Sequence, residues 1–196
     1  MNRQKFIRTT QWIFIIFGFV LFFYHPSFLP VYYRPRLMGT MAVLYSFFIQ
    51  LPLLIFRAPP RSSAAADVER LQVGLSIWLL LNGLGSLGLW GLYQVGISYD
   101  KFVHFIFPVL VIVPGFSLVR SLYGWSSKKA LITLVLLICV SAVAWEYAEY
   151  ASARWLHFGF FGQLFDQDSI LDILYTCLGA GAAALFLTTR TWFTKN

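Results

Sequence analysis

Long apolar stretches broken by short polar joins organise the chain from end to end. A bilayer core of about 30 Å needs about 20 mostly apolar residues per helix. Six runs meet that length, at about Gln11–Pro30, Leu37–Phe56, Leu71–Tyr93, Phe102–Val119, Ala130–Tyr150 and Ile170–Thr189. The first is the least regular, because Pro26 and Pro30 end or kink a helix. Turn-rich joins such as Arg57-Ala-Pro-Pro-Arg-Ser-Ser and Gly124-Trp-Ser-Ser-Lys-Lys separate the runs, and nothing suggests a separate soluble domain or an internal repeat. The expectation is an all-α, polytopic bundle of six transmembrane helices forming one integral membrane domain over residues 1–196. Arg3, Lys5 and Arg8 before the first run resemble the start of a signal peptide, but no small-residue cleavage site follows, so the run is expected to be a retained helix.

Composition agrees: 59% of residues are hydrophobic, 12% are charged, and the mean hydropathy is +0.70. The net charge of +7 does not point to nucleic acid, since the basic residues are dispersed through short loops instead of forming a stripe. Cys139 and Cys177 lie inside apolar runs and read as small packing residues.

The distribution of Lys and Arg sets orientation. Arg3, Lys5, Arg8, Arg57, Arg61, Arg70, Arg120, Lys128, Lys129, Arg190 and Lys195 fall on one side of the six-run scheme, and only Arg34, Arg36, Lys101 and Arg154 on the other. Both termini are then cytoplasmic. The same scheme collects six of the eight carboxylates at the outer ends of the last three helices: Asp100 near His104, Glu146 with Glu149, and Asp166, Asp168 and Asp172.

Acids at membrane-helix ends need a proton, a cation or water, so their grouping suggests a shared site. Asp100 and His104 are four apart and share a helical face, as do Asp168 and Asp172; Glu146 and Glu149 are three apart. The set can offer oxygen and nitrogen ligands to Mg²⁺, Mn²⁺, Zn²⁺ or Ca²⁺. Blander roles compete. Asp100 fits an N-cap, Ser169 with Asp172 fits a capping pattern, Asp166 fits a loop acid, and His104 alone fits an interfacial histidine. Glu146 and Glu149 fit no cap, since they fall near the negative end of a helix dipole and require a cation, Lys101, Arg154 or a proton to offset them. The aromatic segment from Ala151 to Phe165 fits either an interfacial belt or a re-entrant flap over the acids, hinged at Gly159 and Gly162. Gly83, Gly85, Gly88, Gly91 and the Gly179/Ala183 pair read as close helix packing. No serine-nucleophile, phosphate-loop, HExxH or dinucleotide motif is present.

Tyr-Asp-Lys-Phe-Val-His-Phe at Tyr99–Phe105, Trp-Glu-Tyr-Ala-Glu-Tyr at Trp145–Tyr150, and Asp-Ser-Ile-Leu-Asp-Ile at Asp168–Ile173 followed by Gly179 carry a family likeness. In this order they resemble the YjdF-type family of uncharacterised bacterial inner-membrane proteins, itself similar to the VanZ-like family. The resemblance spans roughly residues 70 to 190. It maps a D-K-x-x-H motif onto Asp100, Lys101 and His104, an E-x-x-E motif onto Glu146 and Glu149, and a D-T-Q-x-D motif onto Asp168 and Asp172, with Ser169 and Ile170 replacing the usual Thr and Gln. It implies a multi-pass protein of the bacterial inner membrane and leaves its reaction open.

Two classes of function follow. In the first, a divalent cation held by Glu146, Glu149, Asp168 and Asp172, with His104 as ligand or base and Asp100 orienting it, activates water against an envelope lipid or lipid-linked precursor, as in a metal-dependent membrane hydrolase. Lys101 and Arg154 complete the polar surroundings. In the second, the acids serve non-enzymatic binding, sensing or transport, or are caps and salt bridges of a structural protein.

Overall fold

A computed structural model describes residues 2–23, 35–155 and 167–193. Asp166 and the aromatic stretch 156–165 lie outside the described residues. The described residues are helical, with no strand: α1 (Arg3–Phe23), α2 (Pro35–Phe48), α3 (Leu51–Ile55), α4 (Ser63–Ser86), a 3-10 helix (Leu89–Val95), α5 (Tyr99–Tyr123), α6 (Ser127–Trp155) and α7 (Gln167–Phe193). Four helical stretches, Arg3–Phe23, Tyr99–Tyr123, Ser127–Ala151 and Asp168–Arg190, are long and apolar enough to cross a membrane. A fifth crossing results if α4 and the 3-10 helix, bent by 60°, count as one span. Large apolar side chains such as Trp12, Ile16, Leu136, Val140 and Leu185 remain exposed on these helices, which suits a protein whose solvent is lipid. The protein is a multi-pass membrane protein in contact with the bilayer.

Two compact units divide the chain, Met1–Ile97 and Ser98–Asn196. In the first, α1 and α2 approach until a Cβ added at Gly18 would lie 2.7 Å from the Gly39 carbonyl oxygen, so two glycines set the contact. Ile7, Phe14, Ala42, Ile49 and Leu79 form the core beside them. The apolar run Leu37–Phe56 is not one helix. Pro52 lacks an N–H and its ring clashes with the carbonyl four residues back, at Phe48, where α2 ends. The buried Gln72 side chain covers the break, its Nε2 donating to the Ile49 carbonyl at 3.1 Å and to Gln50 Oε1 at 3.2 Å.

The run Leu71–Tyr93 is broken as well. Gly88 has φ of 131°, a conformation that a side chain disfavours, and it separates α4 from the 3-10 helix. Gly88 therefore makes a bend instead of the close packing expected of it, and a Cβ at Gly91 would meet nothing within 4 Å. Upstream, α4 starts earlier than hydropathy implies, with Ser62 Oγ accepting from the Ala65 N–H at 3.1 Å. Arg3, Lys5 and Arg8, expected in a tail, are inside α1.

The second unit is a three-helix bundle. Ile112, Phe116 and Val119 of α5, Ala130, Leu134 and Ile138 of α6, and Ala180, Ala183 and Leu187 of α7 make one core. These positions occupy the C-terminal half of α5, the N-terminal half of α6 and the C-terminal half of α7, which is one end of the bundle. The other end is where the acids are.

Candidate cation site

The approach of α7 to α5 positions this acidic end. Gly179 sits directly against the Phe105 backbone carbonyl, where any Cβ would collide, and Ala180 and Ala183 are buried beside it. The Gly179/Ala183 pair thus packs as its spacing predicts. One consequence is that Lys101 and His104 of α5 face Asp168, Asp172 and Thr176 of α7 across a short gap.

Lys101, only 8% exposed, is the hub. Its Nζ donates to Asp172 Oδ1 at 2.6 Å, to Asp100 Oδ2 at 3.1 Å, and to an Asp168 carboxylate oxygen, with the Asp168 backbone carbonyl at 3.4 Å. Three carboxylates therefore share one ammonium, and with all of them ionised the cluster keeps an excess of two negative charges. Asp100 and Asp168 lie in the first turns of α5 and α7, where the helix dipole favours an anion. Asp172 is a turn deeper and buried.

His104 joins the same oxygens from the other side. Its Nε2 is 3.5 Å from Asp172 Oδ1 and 3.6 Å from Asp100 Oδ1, while Nδ1 is 3.3 Å from the hydroxyl of buried Thr176. A proton on Nδ1 shared with Thr176 leaves the Nε2 lone pair aimed between the two aspartates, the usual way a second hydrogen bond fixes a ligating histidine. Asp100, His104 and Asp172 can each place one ligand atom within 4.8 Å of the others. Among the described residues, that trio has the geometry to hold a metal ion.

The glutamates of α6 take different places. Glu146 is 2% exposed; its carboxylate meets Ser169, and its Oε2 has no hydrogen-bond partner. Glu149, one turn on and half-buried, meets the Trp145 side chain. Helix α6 runs on to Trp155, so neither glutamate lies in its last turn. The cost of these acids comes from burial more than from the dipole, which acts mainly within the last turn.

Among protein families, residues 3–192 match the one described as Predicted membrane protein (DUF2238). The chain belongs to this family. Membership accords with the resemblance to the YjdF-type group of uncharacterised membrane proteins. No curated protein and no solved structure matches the chain.

In this DUF2238 chain the expected site residues are therefore distributed unevenly. Asp100 and His104 meet as their spacing predicts, and Asp168 and Asp172 meet through Lys101. Of the four side chains expected as metal ligands, Asp172 belongs to the trio; Asp168 pairs with Lys101, and Glu146 and Glu149 stand beside it. Arg154 is exposed near the end of α6. The cap roles weighed for Asp100 and for Ser169 with Asp172 do not materialise: Ser98 holds the N-cap position of α5, and Ser169 lies inside α7. Thr176 is a participant that the sequence reading did not single out, although Asp168, Asp172 and Thr176 form a run at intervals of four along one face, and Ser169 meets Glu146 instead of capping α7.

Proposed function

We propose that the protein is a six-span protein of the bacterial inner membrane, with both termini cytoplasmic, whose outward-facing site binds a divalent cation through Asp100, His104 and Asp172. The observation that carries this reading is the convergence of those three ligand atoms within 4.8 Å, next to an acid, Glu146, that is buried with one oxygen unpartnered. One imidazole and two carboxylates suit Zn²⁺ or Mn²⁺ better than Ca²⁺, and three protein ligands leave positions for water or substrate. Such an ion polarises a phosphoester or amide and lowers the pKa of bound water. A lipid-linked envelope molecule is the proposed substrate. Phe102, Trp145 and Tyr147 are exposed near the acidic end, and aromatic side chains of this kind favour the headgroup region.

Orientation is supported within the three-helix unit alone. Arg120, Lys128, Lys129 and Arg190 stand at the end opposite the acids, and the positive-inside rule supports a cytoplasmic position for that end. The sixth crossing is proposed for α2 and α3 taken together as a broken span over residues 35–55. A cysteine at Ser98 should react with a membrane-impermeant maleimide in intact cells, and one at Ser126 should not, in a background lacking Cys139 and Cys177. The reverse pattern would invert the orientation.

A second reading has its own support: Lys101 already gives Asp100, Asp168 and Asp172 a counter-ion, so the cluster can serve structure alone. Thermal unfolding of the purified protein separates the two. A cation that binds only the folded chain raises the midpoint. The cation reading requires such a rise with Zn²⁺ or Mn²⁺ in the parent, lost in His104→Ala and in Asp172→Asn. No rise with Zn²⁺, Mn²⁺, Mg²⁺ or Ca²⁺ in the folded parent favours the structural network.

A further inference from the structure

We infer that Lys101 is a built-in competitor for the cation, and that Glu146 receives its ammonium group when the cation enters. This rests on the cation reading above and concerns how that site is regulated.

One carboxylate oxygen has two claimants. Asp172 Oδ1 is the atom that Lys101 Nζ contacts at 2.6 Å and the atom that faces His104 Nε2 at 3.5 Å. A metal ion taking the Asp172 oxygen that faces His104 holds it at about 2.0–2.2 Å. An ammonium at 2.6 Å and a divalent ion on that oxygen repel strongly in a partly desolvated site, so the two compete for Asp172. In this exchange Lys101 gives up Asp172 as the cation arrives.

The structure provides a place for it to go. Lys101 Nζ already touches Asp168, through a carboxylate oxygen and through the backbone carbonyl at 3.4 Å. The next residue, Ser169, meets the Glu146 carboxylate. Glu146 Oε2 is buried without a hydrogen-bond partner, a costly arrangement that an arriving ammonium would relieve. A lysine side chain has a flexible four-carbon stem, and the Asp168–Ser169 step marks the direction of its swing from Asp172 towards Glu146. The ammonium stays charged throughout, and only its partners change.

Opposite signs in two variants test the exchange. In the purified full chain, Mn²⁺ affinity should rise by about tenfold or more in Lys101→Met, because the competitor is gone. It should fall several-fold in Glu146→Gln, because the displaced ammonium loses its receiver. In Lys101→Met with Glu146→Gln the affinity should match Lys101→Met alone, since the glutamate acts only through the lysine. Lys101→Met removes the counter-ion of three acids, so the same comparison is made on an Asp168→Asn background, which lightens that load. Affinity unchanged or lowered on removing Lys101, on either background, overturns the exchange while leaving the cation site standing. An equal fall from Glu146→Gln with and without Lys101 also overturns it, because Glu146 would then act on the cation directly. Absence of Mn²⁺ and Zn²⁺ binding in the folded parent and in every variant removes the site itself.

Discussion

At one end of the Ser98–Asn196 bundle, α5, α6 and α7 meet through Ile112, Phe116, Leu134, Ile138, Ala180 and Ala183; at the other, through Lys101, Asp168, Asp172 and Glu146. The buried polar side chains described in this unit, Lys101, Glu146, Ser169, Asp172 and Thr176, are all at the acidic end. The difference separates an end joined by packing from an end whose intact ion cluster adds no net stability yet is costly to break. Close apolar packing already joins the three helices, whereas a buried ion cluster is at best neutral for stability, and an unpartnered Glu146 oxygen is a cost. Concentrating that cost at one end is what a site looks like. The apolar end, in turn, has no buried polar side chain among the described residues, which argues against a path through the bundle and favours chemistry or binding at one face.

Substitutions at the two ends should therefore part stability from binding. The largest expected effect is Lys101→Met, which leaves three acids without their shared cation and should cost about 3–5 kcal/mol in detergent unfolding. A neutral outcome would mean that these acids are protonated or solvated and that the acidic end is not an ion cluster. Gly179→Ala comes next, at about 3 kcal/mol, because the new methyl group meets the Phe105 carbonyl and backbone cannot move aside cheaply. It should also weaken cation binding by separating α5 from α7. Ile112→Ala should cost about 2 kcal/mol through the void it leaves, less than in a water-soluble core because the unfolded helix stays in lipid. Its cation affinity should match the parent's; a change there would show that the two ends are coupled. Arg154→Ala, on an exposed side chain, should move stability by under about 0.5 kcal/mol.

Helix existence was legible in the sequence because long uncharged runs admit few alternatives in a membrane. Helix continuity was not. A hydropathy run counts side chains, so it passed through Pro52 and Gly88, where the backbone itself forces a stop or a bend. It also stopped α6 at Tyr150, although the helix continues through Arg154 to Trp155. In the site, intervals of four placed Asp100 with His104 and Asp168 with Asp172, since helical geometry alone settles which residues share a face. Spacing could not say that the first cation for these acids is Lys101, because a long side chain reaching across to another helix leaves no periodic trace. Thr176 was hidden for a similar reason: a lone hydroxyl in an apolar run gains meaning only when His104 is found opposite it.

Metal content after purification and brief equilibration with Zn²⁺ and Mn²⁺, counted by mass spectrometry against protein, is the most direct test of the central claim. Near one ion per chain is expected in the parent and in Ile112→Ala, and close to none in Asp172→Asn, with all three folded. Equal metal in the parent and Asp172→Asn, or none in either, would contradict a cation site built on Asp100, His104 and Asp172.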